Sequence, residues 1–215
     1  MGRRATIGTG GETAFASLRQ RLRDRTRSAH EALDAAMDLE TRLADRSSCA
    51  DLLVRFHSLY STLAPAVDRL GLPFPQAQKL AWLETDLLCL GLTAETVRAL
   101  PRSPLFVSIG DVGEAFGVLY VLEGATLGGQ VIARRLEASL GVTAQTGGRF
   151  FAGHGAGVGA NWRRFTAALD GYGETGADLA PVERAALAAF AAFQAVIGPS
   201  AAHDAATGGG ARHVA

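Results

Sequence analysis

Hydrophobic residues recur at three- and four-residue steps along most of this chain, which is the pattern of amphipathic helices. The pattern predicts a first long helix from Thr13 to about Met37, and a second long helix that Ser47 or Ser48 caps. Pro65 should kink or interrupt the second helix, because proline cannot donate the backbone hydrogen bond of a helix interior.

Further segments carry the same pattern and predict additional helices. One of them is a long helix that begins at Asp111 and Glu114 and runs toward Leu140. The others are residues 76–90, 94–100, 161–169 and 181–197. Alternating β-branched residues bounded by hairpin turns are not found, so the sequence predicts an all-α fold. We expect one helical domain over residues 13–197, between flexible tails at 1–12 and 198–215 that are rich in Gly, Thr and Ala.

Charge and cysteine content narrow the classes of function. The chain has 21 basic and 21 acidic residues, so no overall field attracts nucleic acid or an acidic membrane surface. Cys49 and Cys89 lie far apart in the sequence and suggest neither a disulfide framework nor a thiolate metal site. Since no run of 18 or more apolar residues occurs either, we expect a cytoplasmic protein that acts on a small molecule.

Three glycines interrupt the long apolar segment from Tyr120 to Ile132, YVLEGATLGGQVI. A glycine in a helix interior costs about 1 kcal/mol relative to alanine, so Gly124, Gly128 and Gly129 together forgo roughly 3 kcal/mol. Close packing of another helix would offset this cost, and so would the close approach of a large flat ligand. The glycines alone do not distinguish these two explanations.

His30 is the histidine that best fits a ligand role. It lies between Thr26 and Leu33 on the side of the first helix that we expect to face inward, and Asp34 follows at i+4, where its carboxylate can orient the imidazole. A single histidine supplies one axial position, which suits haem iron better than zinc. The remaining histidines favour other roles: a packed or surface position for His57, a glycine-rich loop for His154, and the tail for His203 and His213.

Three blocks of sequence resemble the haem oxygenase family, especially its bacterial branch that makes biliverdin for phytochromes. LRDRTRSAHEALD at 22–34 is similar to the proximal helix of that family, and YVLEGATLGGQVI to its distal helix. FFAGHGAGVGANWRRF at 150–165 is similar to a later segment that contacts haem. The blocks also have the order and separation of the family, and the resemblance spans residues 13–197.

The resemblance implies a role for each matching residue. His30 would be the proximal ligand of the iron and a catalytic residue, with Asp34 as its hydrogen-bonding partner in the second shell. Gly124, Gly128 and Gly129 would let the distal helix kink and lie against the haem, with Gly124 and Gly128 counted as catalytic. Three residues would bind the haem at its edge: Arg23, Arg163 and Tyr120. Arg27 and Arg164 are near enough in sequence to be alternatives for the two arginines.

The resemblance also implies the reaction. Haem would be both substrate and cofactor, and molecular oxygen with an external reductant would convert it to biliverdin, carbon monoxide and ferrous iron. Ferredoxin with its reductase is the kind of electron donor expected, and a bacterial phytochrome is a candidate acceptor of biliverdin. One departure stands out: animal-type members have an aspartate after the first distal glycine, and this chain has Ala125. Proton delivery would then need another water network, for which Thr126 and Glu123 are candidates.

Other functions are compatible with parts of the sequence. A haem or bilin carrier or sensor on the same scaffold would keep His30 and the glycines and lack turnover. The GHGAGVG segment at 153–159 has the G-x-G spacing of nucleotide-binding loops, but no preceding strand is predicted. A helical interaction module could use Gly124 and Gly128 as a contact between helices.

Overall fold

The computed structural model describes residues 17–104 and 107–198, and within these ranges every regular element is helical. The helices, numbered in chain order, are α1 Leu18–Ala36, α2 Leu39–Arg42, α3 Arg46–Asp68, α4 Ala77–Cys89, α5 Ala94–Arg98, α6 Val112–Leu140, α7 Arg149–Ala152, α8 Val158–Gly173 and α9 Ala180–Ile197. A 3₁₀ turn at Gly155–Gly157 precedes α8. The predicted all-α fold is confirmed.

Side-chain caps set where several helices begin. Asp111 accepts a hydrogen bond from the Glu114 backbone N–H at 2.8 Å, as the sequence predicts for the start of α6. For α3 the predicted cap was wrong: Asp45, and not Ser47 or Ser48, is the N-cap, and its carboxylate accepts from the Ser48 backbone N–H at 2.7 Å. The carboxylate reaches that N–H because Asp45 has extended backbone angles just before the helix.

Other helices differ in extent from the prediction. α3 continues through Pro65 to Asp68 without interruption, since the proline lies in the last turn, where few backbone bonds remain to be lost. α8 is longer than the predicted 161–169, and two four-residue helices, α2 and α7, were not predicted. Elements this short carry too few residues to show a helical period.

α6 lies at the centre of the molecule and packs along α9, with α7 and α8 on its other sides. Gly117 allows the closest contact, because a Cβ there would meet the backbone carbonyl of Val182 on α9. α1 lies on α9 and α8, and α3 packs against α4 and α9. Because α1 and α6 both pack on α9 and make few contacts with each other, we infer that the space between them is a groove with α9 as its floor.

α6 and α9 are also long and apolar enough to cross a membrane by length and composition alone. Each contributes many side chains to the shared core, however, and a core helix passes the same test. The predicted cytoplasmic location therefore stays a prediction. The predicted tails, 1–12 and 198–215, lie outside the described residues apart from Gly198.

Candidate functional site

His30 and Asp34 lie one turn apart on α1 and contact each other. The imidazole Nδ1 is 3.0 Å from Asp34 Oδ2, close enough for the carboxylate to orient the ring. Among the described residues the other ring nitrogen, Nε2, has no hydrogen-bond partner and is open to a ligand. The ring packs edge-on against Phe190 of α9, with 5.8 Å between ring centres.

The prediction that His30 faces the inside of the protein was wrong. The buried side of α1 consists of Leu18, Leu22 and Thr26, whereas the His30 side chain is 61% exposed. Four residues of an α-helix turn through 400°, so residues spaced four apart shift by about 40° around the helix at each step. The stripe of Leu18, Leu22 and Thr26 has therefore rotated away from the core at His30. His30 therefore lies at the mouth of the groove between α1 and α6.

Contacts with α8 show that α1 and α6 begin at the same end of the molecule. Leu18 of α1 packs on Gly173, where an added Cβ would be 2.9 Å from the leucine Cβ. Phe116 of α6 packs on the neighbouring Tyr172, with 5.0 Å between ring centres. The two helices thus start beside the last turn of α8.

Further along, Thr26 of α1 is close enough to Tyr120 of α6 to influence the pKa of its hydroxyl. Burial raises the pKa of Tyr120, and Thr26 partly opposes that rise. His30 follows Thr26 by one turn, and Gly124 follows Tyr120 by one turn. Because both helices run in the same direction, His30 and Gly124 lie at the same level on opposite sides of the groove.

The side of α6 beyond Tyr120 presents an open apolar face, which we call the glycine face: Gly124, Leu127, Gly128 and Val131. The spacing i, i+3, i+4, i+7 puts these four residues on one side of the helix. Leu127 is 38% exposed and Val131 is 46% exposed, which leaves apolar surface next to a groove. A flat apolar molecule would bury this surface.

The three distal glycines have two different structural reasons. A Cβ on Gly129 would lie 2.7 Å from the Phe151 carbonyl oxygen, so this glycine allows α7 to pack closely on α6. A Cβ on Gly128 would meet nothing within 4 Å, and one on Gly124 would make only ordinary contact with Trp162, at 3.8 Å. Protein packing therefore explains Gly129 and leaves Gly124 and Gly128 to the ligand explanation. The helix continues through all three, and a kink stays a prediction.

The structure brings two of the three predicted edge residues together. Arg23 is exposed on α1, and its charge influences the pKa of Tyr120, which places both side chains at one end of the groove. Arg163 is exposed on α8, one residue after Trp162, whose ring packs 6.0 Å from that of Tyr120. No described contact joins Arg163 to Arg23.

The two alternative arginines are engaged elsewhere. Arg27 forms an ion pair with Asp24 at 2.7 Å. Arg164 donates to the Asn161 side-chain oxygen at 3.0 Å, and its guanidinium lies over the Phe74 ring, 5.4 Å from the ring centre. These contacts favour Arg23 and Arg163 as the cations at the groove.

A buried ion pair beneath α6 is the part of the site that the sequence reasoning left almost unexplored. Lys79 of α4 and Glu123 of α6 are each 3% exposed, and Lys79 Nζ lies 3.0 Å from Glu123 Oε1. Gln76 donates to the same oxygen at 2.7 Å, and Asn161 of α8 donates to Glu123 Oε2 at 2.7 Å. Burial lowers the pKa of Lys79, and the Glu123 carboxylate opposes this by stabilising the ammonium form.

The sequence contained a signal for this pair. Lys79 is the only lysine among 21 basic residues, and composition bias alone does not explain why one was kept. Glu123 stands in the apolar run immediately before Gly124. A lysine fits where a single compact cation must reach a buried carboxylate, since a guanidinium is larger and presents five donors that need acceptors.

A small cavity adjoins this ion pair. Its volume is about 30 Å³, and its walls include Lys79 and Tyr60 on one side and Ala125, Thr126 and Gly129 of α6 on the other. Burial raises the pKa of the Tyr60 hydroxyl, and the nearby Glu123 raises it further. The hydroxyl therefore stays protonated and polar at neutral pH.

Comparisons with known proteins identify the family of this chain. The sequence model of the family described as heme oxygenase matches residues 16–198, so the chain belongs to the haem oxygenase family. Its fold is similar to that of the NO- and CO-bound heme oxygenase from Neisseria meningitidis, with a TM-score of 0.70, 20% sequence identity, and coverage of 84% of this chain and 90% of that one. Comparison with curated protein sequences gives no match. Haem degradation is thus the function that the family assigns to this chain, with haem as its substrate.

Proposed function

We propose that this protein cleaves haem oxidatively to biliverdin, carbon monoxide and ferrous iron. One observation carries the proposal: His30, with Nδ1 on Asp34 and Nε2 without a partner in the described chain, lies at the level of the open glycine face of α6. The groove would thus offer an imidazole ligand on one wall and the apolar glycine face on the other. These are the features that a flat macrocycle with an iron at its centre requires.

His30 would hold the iron through Nε2. Asp34 would accept a hydrogen bond from Nδ1–H, which would fix the orientation of the imidazole and increase its basicity. Phe190 supports the ring from below, so the imidazole has little freedom to turn away. A haem held in this way would supply the iron chemistry that activates oxygen.

The glycine face would bring the backbone of α6 close to the opposite side of the haem. A Cβ on Gly128 would meet nothing within 4 Å and one on Gly124 only the Trp162 ring at 3.8 Å, so without side chains there the macrocycle could approach the helix closely. Such an approach restricts which edge of the ring lies near the helix and excludes bulk water from that side. Both effects favour attack at one position of the ring.

Arg23 and Tyr120 would hold the propionates at one end of the groove, and Arg163 would supply a second cation from α8. A guanidinium can bind a carboxylate through two parallel hydrogen bonds, which fixes the rotation of the haem in its plane. Arg23 forms no ion pair with any other described residue, so its charge remains for this role.

The reaction needs molecular oxygen and electrons that the chain does not itself supply. We propose an external donor such as ferredoxin with its reductase, in the cytoplasm, and a bacterial phytochrome as a recipient of biliverdin. The similarity of the histidine and glycine blocks to the phytochrome-associated branch supports these assignments.

A second candidate function is a haem or bilin carrier or sensor on the same scaffold. Ala125 favours it, because a methyl group stands where animal-type relatives have the aspartate that anchors water near oxygen. Such a protein would bind haem through His30 and leave it intact.

Titration with ferric haem tests ligation. We expect a one-to-one complex with the Soret band of a histidine-ligated haem, and His30→Ala should abolish that signature. His154→Ala is the matched control, since His154 lies on the loop before α8 and packs on Trp82, with 5.2 Å between ring centres. An unchanged spectrum in His30→Ala would refute the ligand assignment, and a wild type that binds no haem would favour a helical interaction module.

A further inference from the structure

The Lys79 ammonium has one N–H donor for which the described residues supply no hydrogen-bond acceptor. It is buried and donates to the Leu122 carbonyl oxygen at 2.9 Å and to Glu123 Oε1 at 3.0 Å. An ammonium group carries three N–H donors. Within the described residues no third acceptor lies in reach of Nζ, and a buried donor left unpaired is costly.

The cavity next to Lys79 is the space that can satisfy this donor. Its volume of about 30 Å³ is large enough for a water molecule, and Lys79 and Tyr60 are among the residues that line it. The opposite wall is formed by Ala125 and Thr126 of the distal helix. A water bound to Lys79 would therefore lie beside the position where relatives carry the distal aspartate.

We propose that Lys79 is a positioning residue for proton delivery, and that it holds a water in the place of the missing aspartate. This inference rests on the proposed haem cleavage. The water accepts a hydrogen bond from the ammonium, so both of its O–H groups point away from Lys79. One of them could donate toward a bound haem from the side of Ala125, either directly or through a further water. The proton moves along this hydrogen bond, and solvent replaces it through the cavity.

Glu123 positions Lys79 in this arrangement. Its two oxygens accept from Gln76, Lys79 and Asn161, which join α4 and α8 to α6 at the residue before Gly124. Three donors from three directions leave the carboxylate one orientation, and the ammonium is fixed with it. The water site and the glycine face are thus held in register by a single buried network.

The test compares wild type with Lys79→Met/Glu123→Gln, which removes both charges together and leaves no unpaired ion in the core. We expect the variant to bind haem through His30 with unchanged affinity. A lost hydrogen-bond donor no longer favours the deprotonated water ligand, so the pH at which the ferric complex turns alkaline should rise by about one unit. Single-turnover formation of biliverdin should slow by about a hundredfold, the lower end of what a positioned proton donor contributes.

Ala125→Val is the second variant and leaves the ion pair intact. Its extra methyl groups would fill the cavity and exclude the water, so it should show the same rise in the alkaline transition and the same loss of rate. Glu137→Gln is the control, because Glu137 is an exposed carboxylate of α6, about four turns beyond Glu123. We expect Glu137→Gln to match wild type. Wild-type behaviour of both Ala125→Val and Lys79→Met/Glu123→Gln would overturn the proposal.

The water can also be tested without haem. A crystal structure of the haem-free protein should show an ordered water within hydrogen-bond distance of Lys79 Nζ, between that atom and Ala125. A dry cavity would overturn the inference even if haem cleavage is confirmed. Conversely, a wild type that binds haem and forms no biliverdin, with the water in place, would reject the proposed function and keep the water site.

Discussion

The imidazole Nδ1 of His30 lies 3.0 Å from Oδ2 of Asp34, one helical turn further along α1. If Nδ1 carries the imidazole proton and donates it to this carboxylate, the Nε2 lone pair is free for the iron of a bound haem. Asp34 would then orient the proposed ligand without touching the metal.

Asp34→Ala should weaken haem binding and keep histidine ligation. The imidazole would lose its orienting acceptor and some basicity, and we expect haem affinity to fall about 10- to 100-fold. Soret titration measures the affinity, and the iron–histidine stretching frequency of the ferrous complex should decrease. Equal affinity and an unchanged frequency would show that Asp34 does not act through His30. Glu31→Ala is the control, because Glu31 neighbours His30 on an exposed part of α1.

Gly128→Ala and Gly129→Ala should affect the haem-free protein in opposite directions. An alanine at 129 would place its Cβ 2.7 Å from the Phe151 carbonyl oxygen, so we expect a loss of about 1–3 kcal/mol in the free energy of unfolding. An alanine at 128 meets nothing within 4 Å and has the better helix propensity, so we expect a gain of about 0.5–1 kcal/mol. Denaturant unfolding measures both.

The same Gly128→Ala variant should bind haem more weakly or convert it more slowly, because its methyl group stands between the helix and the macrocycle. Improved stability together with normal haem turnover would mean that no ligand approaches this backbone. In that case the open face of α6 would need another explanation, such as contact with another helix.

Arg23→Gln should lower haem affinity, whereas Arg27→Gln should leave it unchanged. Both residues are exposed on α1, but Arg23 lies near Tyr120 and Arg27 is paired with Asp24. Loss of one cation at an exposed carboxylate site costs about 1 kcal/mol, or roughly fivefold in affinity. Equal effects of the two substitutions would show that only the general positive charge of α1 matters.

His57 should lower the stability of the folded protein when the pH falls below about 6.5. It is buried, its Nδ1 has no described partner, and burial lowers its pKa below 6.5. Above about pH 6.5 the imidazole is neutral in the folded and in the unfolded protein, so it does not affect stability. Below this pH the unfolded chain binds a proton that the folded chain does not. Stability is therefore lost as the pH falls, until it reaches the pKa of His57 in the folded protein. His57→Gln should reduce the decline in Tm between about pH 7 and pH 5. An identical decline would refute this account.

The helical framework follows from the sequence because its signals are local. The cap at Asp111, the apolar stripes of α1 and α3, and Pro181 at the start of α9 each act within one or two turns. The cap of α3 was missed, although Asp45 is as good a cap as Ser47 or Ser48. Several neighbouring residues could serve, and the path of the preceding chain decided among them.

The site was less accessible to sequence reasoning. The separate roles of Gly128 and Gly129 depend on where α7 lies, and residues 149–152 carry no helical period that would place it. The Lys79 and Glu123 pair joins residues 44 positions apart, and no spacing rule connects them. The exposure of His30 depends on how far the buried stripe of α1 continues past Thr26, which the sequence reasoning did not follow.

The most direct test of haem cleavage is to incubate the ferric haem complex with ascorbate, or with ferredoxin and its reductase, and to record the absorption spectrum over time. We predict that the Soret band disappears while biliverdin absorbance and carbon monoxide appear, and that His30→Ala shows none of these changes. A Soret band that persists in wild type, with no biliverdin, would contradict the account and identify the protein as a haem carrier or sensor.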